Sequence, residues 1–128
     1  MPSKAYDVTN MHEMFNNASS FNQDLGNWAV NNVTNMEGMF RGALVFNQDI
    51  SGWAIDGVEH MAVMFYGASA FDQNLGWCVG DGVFECVGDY CVGDVYWGTT
   101  NASVPEAAFA GTVCASTLCG VTQGSCPP

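Results

Sequence analysis

Residues 33–53 read VTNMEGMFRGALVFNQDISGW, and the same pattern stands 25 residues to either side. Val8-Thr9-Asn10-Met11, Val33-Thr34-Asn35-Met36 and Val58-Glu59-His60-Met61 open the three copies. Met14-Phe15, Met39-Phe40 and Met64-Phe65 follow, then Ala18, Ala43 and Ala68. Phe21-Asn22-Gln23-Asp24-Leu25, Phe46-Asn47-Gln48-Asp49-Ile50 and Phe71-Asp72-Gln73-Asn74-Leu75 come next, and each copy ends near a tryptophan, at Trp28, Trp53 and Trp77. A fixed period held over three copies predicts a solenoid, in which no copy buries its apolar face without a neighbour.

Each copy can be read locally. Met-x-x-Met-Phe-x-x-Ala spaces its apolar residues by three and four, which predicts one short helical or 3₁₀ turn. Thr34 with Glu37 reads as a capping box, and Asn10 with Glu13 as a similar cap. Trp28 and Val30 alternate towards one side after Leu25, which predicts a short strand. Asn31-Asn32, Asp56-Gly57 and Asp81-Gly82 are the turn pairs that would end it. The expected fold is thus an α/β repeat solenoid, with one short parallel strand and one short helix or 3₁₀ turn per rung. Its Met, Phe, Leu and Trp columns form the core, each buried side chain contributing roughly 1.5–3 kcal/mol.

The string VTNMxxMFxxAxxFNQDIxxW resembles the 25- to 26-residue repeat of BspA-like surface proteins over about residues 6 to 77. The resemblance implies a leucine-rich-repeat-like coil and an exported protein. It brings no catalytic residues with it.

The 25-residue period extends into a degenerate fourth rung. Val83 falls in the column of Val58, Cys86 in that of Met61, Tyr90 in that of Phe65 and Tyr96 in that of Phe71, while Cys78 falls in that of Trp53. The expected organisation is a repeat region over 1–98, its fourth rung starting near 78, and a cysteine-containing cap over 99–128. Residues 99–106 read as a surface loop, and 108–112, AFAGT, echo 64–68, MFYGA.

Cys78, Cys86, Cys91, Cys114, Cys119 and Cys126 all lie in the last 51 of 128 residues. Their even number predicts three disulfides in an oxidising compartment, with 15 pairings left open. The spacing lacks the C-x₂-C of zinc sites and of redox motifs. Sequons at Asn17, Asn32 and Asn101 fit a secreted glycoprotein. Export would place a targeting segment outside this chain, and no run of 18 apolar residues is long enough to cross a membrane. Thirteen carboxylates against Lys4 and Arg41 give a formal charge of −11, which repels nucleic acid and anionic membranes.

The Asn22-Gln23-Asp24 column and its copies read as an amide and carboxylate ladder. The competing reading is calcium held between rungs, with Asp24, Asp49 and Asp72, and the Val-Gly-Asp turns at Asp81, Asp89 and Asp94, as its ligands. His12 and His60 are the only histidines, and His60 sits in a capping column. No nucleophile context and no phosphate loop appears, so no catalytic site and no cofactor other than calcium is expected. The expected role is a noncatalytic extracellular or cell-surface structural or adhesion module. It would join protein partners, or further copies of itself end to end, through an uncapped N-terminal side. The alternative is a calcium- or glycan-binding subunit of a surface assembly, with Tyr66 or Trp97 as its platform.

Overall fold

The computed structural model describes residues 8–85, 105–124 and 126. Where the sequence predicts a helical turn, the first copy makes three linked turns. Met14 N–H donates to Met11 O at 3.2 Å, Asn16 N–H to Glu13 O at 3.1 Å, and Ala18 N–H to Phe15 O at 3.0 Å. Two central residues are left-handed, Glu13 at φ 57° and Asn17 at φ 61°. Each left-handed residue turns its N–H out of the local turn, so alternate donors point to the next copy. Met11, Glu13, Phe15 and Asn17 donate to the carbonyls of Asn35, Glu37, Met39 and Arg41 at 2.6–2.8 Å. Met36, Gly38, Phe40 and Gly42 donate in the same way to His60, Ala62, Met64 and Tyr66 at 2.7–2.9 Å.

These bonds place successive copies as layers on one another, with isolated parallel bridges Asn10↔Asn35 and Asn35↔His60. The left-handed columns are Glu13, Gly38 and Val63, and Asn17, Gly42 and Gly67. A helix is excluded because such residues cannot sit inside one. The capping box is replaced as well. Asn35 Oδ1 accepts the Glu37 N–H at 2.9 Å and Asn10 Oδ1 the His12 N–H at 2.9 Å, while the Thr34 hydroxyl donates to Thr9 O at 3.2 Å. His60 does not cap through its ring: Nδ1 is buried with no hydrogen-bond partner.

No strand forms at Trp28–Val30 or Trp53–Ile55. Trp28 and Trp53 instead close turns onto Leu25 O and Ile50 O, and the link between layers runs through the indoles. Trp53 Nε1–H donates to Leu25 O at 2.9 Å and Trp77 Nε1–H to Ser51 O at 3.3 Å. Among the described residues the strand column pairs by backbone only at the third copy, where β1 (Cys78–Val79) runs parallel to β2 (Thr122–Gln123).

The core is two columns of stacked rings. Phe15, Phe40, Phe65 and Phe109 follow one another at 5.5, 5.5 and 5.6 Å, and Phe21, Phe46 and Phe71 at 6.0 and 5.9 Å. Met36, Met39, Met61 and Met64 fill the space beside them and are fully buried.

Phe109 follows Phe65 after 44 residues instead of 25, and Cys78↔Thr122 and Val79↔Gln123 keep that larger step. The chain therefore uses 19 extra residues to reach the phenylalanine column of the fourth layer, which overturns the expected register. Met61 N–H donates to Val83 O as Met36 N–H does to His60 O, so Phe84 continues the methionine column, where the 25-residue period expects Cys86. The place expected for Tyr90 belongs to Phe109, as the echo of 64–68 in 108–112 suggests. Cys86, Tyr90, Tyr96 and Trp97 lie outside the described residues.

The fourth layer departs from the repeat in its elements. Helix α1 (Pro105–Ala108) stands where the earlier layers turn, and a 3₁₀ stretch (Ala115–Gly120) follows, broken by left-handed Leu118 and Cys119. Among the described residues two disulfides fasten this end, Cys78–Cys126 and Cys114–Cys119. Residues on both sides of the expected 98/99 boundary thus share one layer. Among the described residues no helix is long and apolar enough to cross a membrane.

Candidate functional site

The polar ladder runs down one side of the layers. Asn22 Oδ1 accepts the Asn47 N–H at 2.8 Å and the Gln48 amide at 3.0 Å. Asn47 Oδ1 accepts the Asp72 N–H at 2.9 Å and the Gln73 amide at 2.8 Å. The repeated Asn-Gln pair thus satisfies exposed loop backbone, a task its amides suit because each offers both donor and acceptor.

The described calcium candidates, Asp24, Asp49, Asp72 and Asp81, are not gathered around a point. Asp24 Oδ1 accepts the Gly26 N–H at 2.9 Å, and Asp49 Oδ1 accepts the Ser51 N–H at 2.9 Å. The Ser51 hydroxyl, with the Ser51 backbone N–H, holds the Asp49 carboxyl below its ordinary value. Asp72 stands in the asparagine column instead, and the Asp81 carbonyl accepts the Gln123 amide at 2.7 Å. Among the described residues no three His, Cys, Asp or Glu side chains form a metal-sized group. Asp89 and Asp94 lie outside those residues, as do Cys86, Cys91 and Asn101. Asn17 and Asn32 are exposed, Asn17 as the left-handed residue of its turn.

Concavities are shallow. A hollow of about 480 Å³ beside Asp56 and Cys126 has Trp53 and Trp77 in its wall, but both rings are buried and offer no stacking platform. Tyr66 lines a smaller one of about 200 Å³ with Asn17 and Gly42. The His12 ring contacts Asn10 Oδ1 at 3.0 Å, a local turn contact.

The most distinctive surface is the outer face of the first layer. Met39, Phe40, Phe46 and Trp53 are buried, yet their first-layer counterparts are open: Met14 is 50% exposed, and Phe15, Phe21 and Trp28 are only partly covered. The backbone there is unsatisfied too. The carbonyls of Asn10, Met14 and Asn16 correspond to those of Asn35, Met39 and Arg41, which accept bonds from the layer before. Among the described residues these three accept none. The period alone pointed to this face; its row of acceptors needed the turn geometry.

No match was found among curated proteins or among solved structures. One family model matches, described as a Mycoplasma protein of unknown function, DUF285, and it covers residues 4–83. That range holds all three clear copies and more than half of the chain, so the protein belongs to the DUF285 family.

Proposed function

We propose that this is a noncatalytic extracellular or cell-surface structural or adhesion module, built as a leucine-rich-repeat-like solenoid of BspA-like repeats. It joins a partner through the outer face of its first layer. The observation that carries the reading is the pairing of successive copies by alternate N–H groups, which ends at a face with open carbonyls, half-exposed Met14 and partly buried Phe21. A solenoid end of this kind is sticky, because unpaired backbone and apolar columns both favour association.

Placement outside the cell is supported by the disulfides Cys78–Cys126 and Cys114–Cys119, which persist in oxidising surroundings. Binding without catalysis is supported by shallow hollows and by aspartates already engaged in turns. The test is a membrane-impermeant biotin label on intact cells that make the protein, with mass spectrometry of the native chain. Labelled protein with both disulfides intact is expected; unlabelled protein with free thiols contradicts the reading.

A further inference from the structure

The junctions between layers one and two, and two and three, carry hydrogen bonds in two directions. Over the Met-Phe turns the earlier layer donates, as Phe15 N–H does to Met39 O and Phe40 N–H to Met64 O. Over the Thr and Asn-Gln segments the later layer donates, as Thr34 N–H does to Thr9 O and Asn47 N–H to Asn22 Oδ1. The outer face of layer one therefore offers a definite pattern: carbonyls at Asn10, Met14 and Asn16, and donors at the Thr9 and Asn22 N–H groups and the Gln23 amide. Among the described residues these groups have no partner. The Asn16 side-chain oxygen is buried without a donor beside them.

We propose that this face docks one further 25-residue turn layer, carried by a partner polypeptide with the same repeat. The inference rests on the stacked-repeat reading above. Such a layer supplies N–H groups at alternate positions, acceptors opposite Thr9 and Asn22, and phenylalanine rings over Phe15 and Phe21. A second copy of this chain does not supply them. Face to face, it would offer its Thr9, Asn22 and Gln23 donors but no alternate N–H groups of a Met-Phe turn, because those of its first layer are bonded to its second. Head to tail, it would offer its fourth layer. There helix α1 replaces the turn that holds Glu13, Gly38 and Val63 left-handed in earlier layers, leaving Gly111 at φ 88° as the remaining repeat-type turn residue. The 3₁₀ stretch Ala115–Gly120 stands where the Asn-Gln ladder would continue. One face is thus fitted for addition and the other is not.

The test uses the full chain and a fluorescent synthetic peptide copying residues 31–56, followed by anisotropy. Saturable one-to-one binding is expected. Met14→Glu, at a half-exposed position on the docking face, weakens it by about tenfold or more. Val113→Glu, 62% exposed on the fourth layer, leaves it unchanged. A peptide N-methylated at Met36 and Phe40 keeps its apolar groups, loses two donors and fails to bind. Absence of binding, or equal binding of the methylated peptide, overturns the proposal. Sedimentation that shows the chain alone forming head-to-tail polymers also overturns it, because its own last layer would then be the partner. Failure of the stacked-repeat reading would show separately, as unprotected Met36 and Phe40 amides in hydrogen exchange of the chain alone.

Discussion

The backbone N–H of Asn47 lies 2.8 Å from the side-chain oxygen of Asn22, and the Asn47 side chain in turn accepts the N–H of Asp72 at 2.9 Å. One residue type, repeated at one column, thereby pairs loop backbone that has no strand to pair it. Asn47→Ala removes the acceptor for both Asp72 and Gln73 and should lower stability by about 1–2 kcal/mol in urea unfolding. A change within about 0.5 kcal/mol, the usual size for an exposed substitution, would show that water replaces the ladder at no cost.

Asn17 and Gly42 are coupled in a different way. The Asn17 amide oxygen occupies the space where a side chain at Gly42 would begin, and Gly42 is left-handed at φ 72°. Gly42→Ala therefore meets both a clash and backbone strain of about 1–3 kcal/mol. Asn17→Gly should recover the clash and leave the strain. A double-mutant cycle with no coupling between the two sites would contradict the packing of these layers.

The Asp49 carboxyl, held below its ordinary value by the Ser51 hydroxyl and N–H, gives a pH prediction. A depressed folded-state value means stability that is present above the unfolded value and is lost as pH falls through the folded one. Ser51→Ala should move the Asp49 titration upward, towards the ordinary carboxylate range, as read by NMR of its side-chain carbon. An unmoved titration would remove the hydroxyl as the leading cause.

The two disulfides close loops of different length, with separations of 48 and 5 residues. The chain-entropy estimate is about 4 kcal/mol for the first and about 2 kcal/mol for the second. Cys78→Ser with Cys126→Ser should accordingly lower the melting temperature more than Cys114→Ser with Cys119→Ser. The reverse order would mean that burial of Cys119, rather than loop closure, governs this end.

Much of this was legible in the sequence, for particular reasons. The phenylalanine columns and the Asn-Gln ladder followed from the period, because residues 25 apart meet wherever layers repeat. The helical turn did not hold, since spacings of three and four suit both a helix and three linked turns. The deciding signal was Gly38, Gly42 and Gly67, with Asn17, standing at columns that need positive φ. The strand at Trp28 and Trp53 did not form because the indoles, rather than the backbone, bridge the layers there. The fourth layer escaped arithmetic because the extra residues fall inside it, between Phe84 and Phe109, and Phe109 marked its true phenylalanine column.

The central claim is that alternate N–H groups of the first and second Met-Phe turns bind the layer 25 residues on. Scalar couplings through hydrogen bonds, measured by NMR on isotope-labelled protein, test it most directly. Couplings from the Met36, Gly38, Phe40 and Gly42 nitrogens to the His60, Ala62, Met64 and Tyr66 carbonyls are expected. Couplings from Phe40 to Met36, four residues back as in a helix, would contradict the claim.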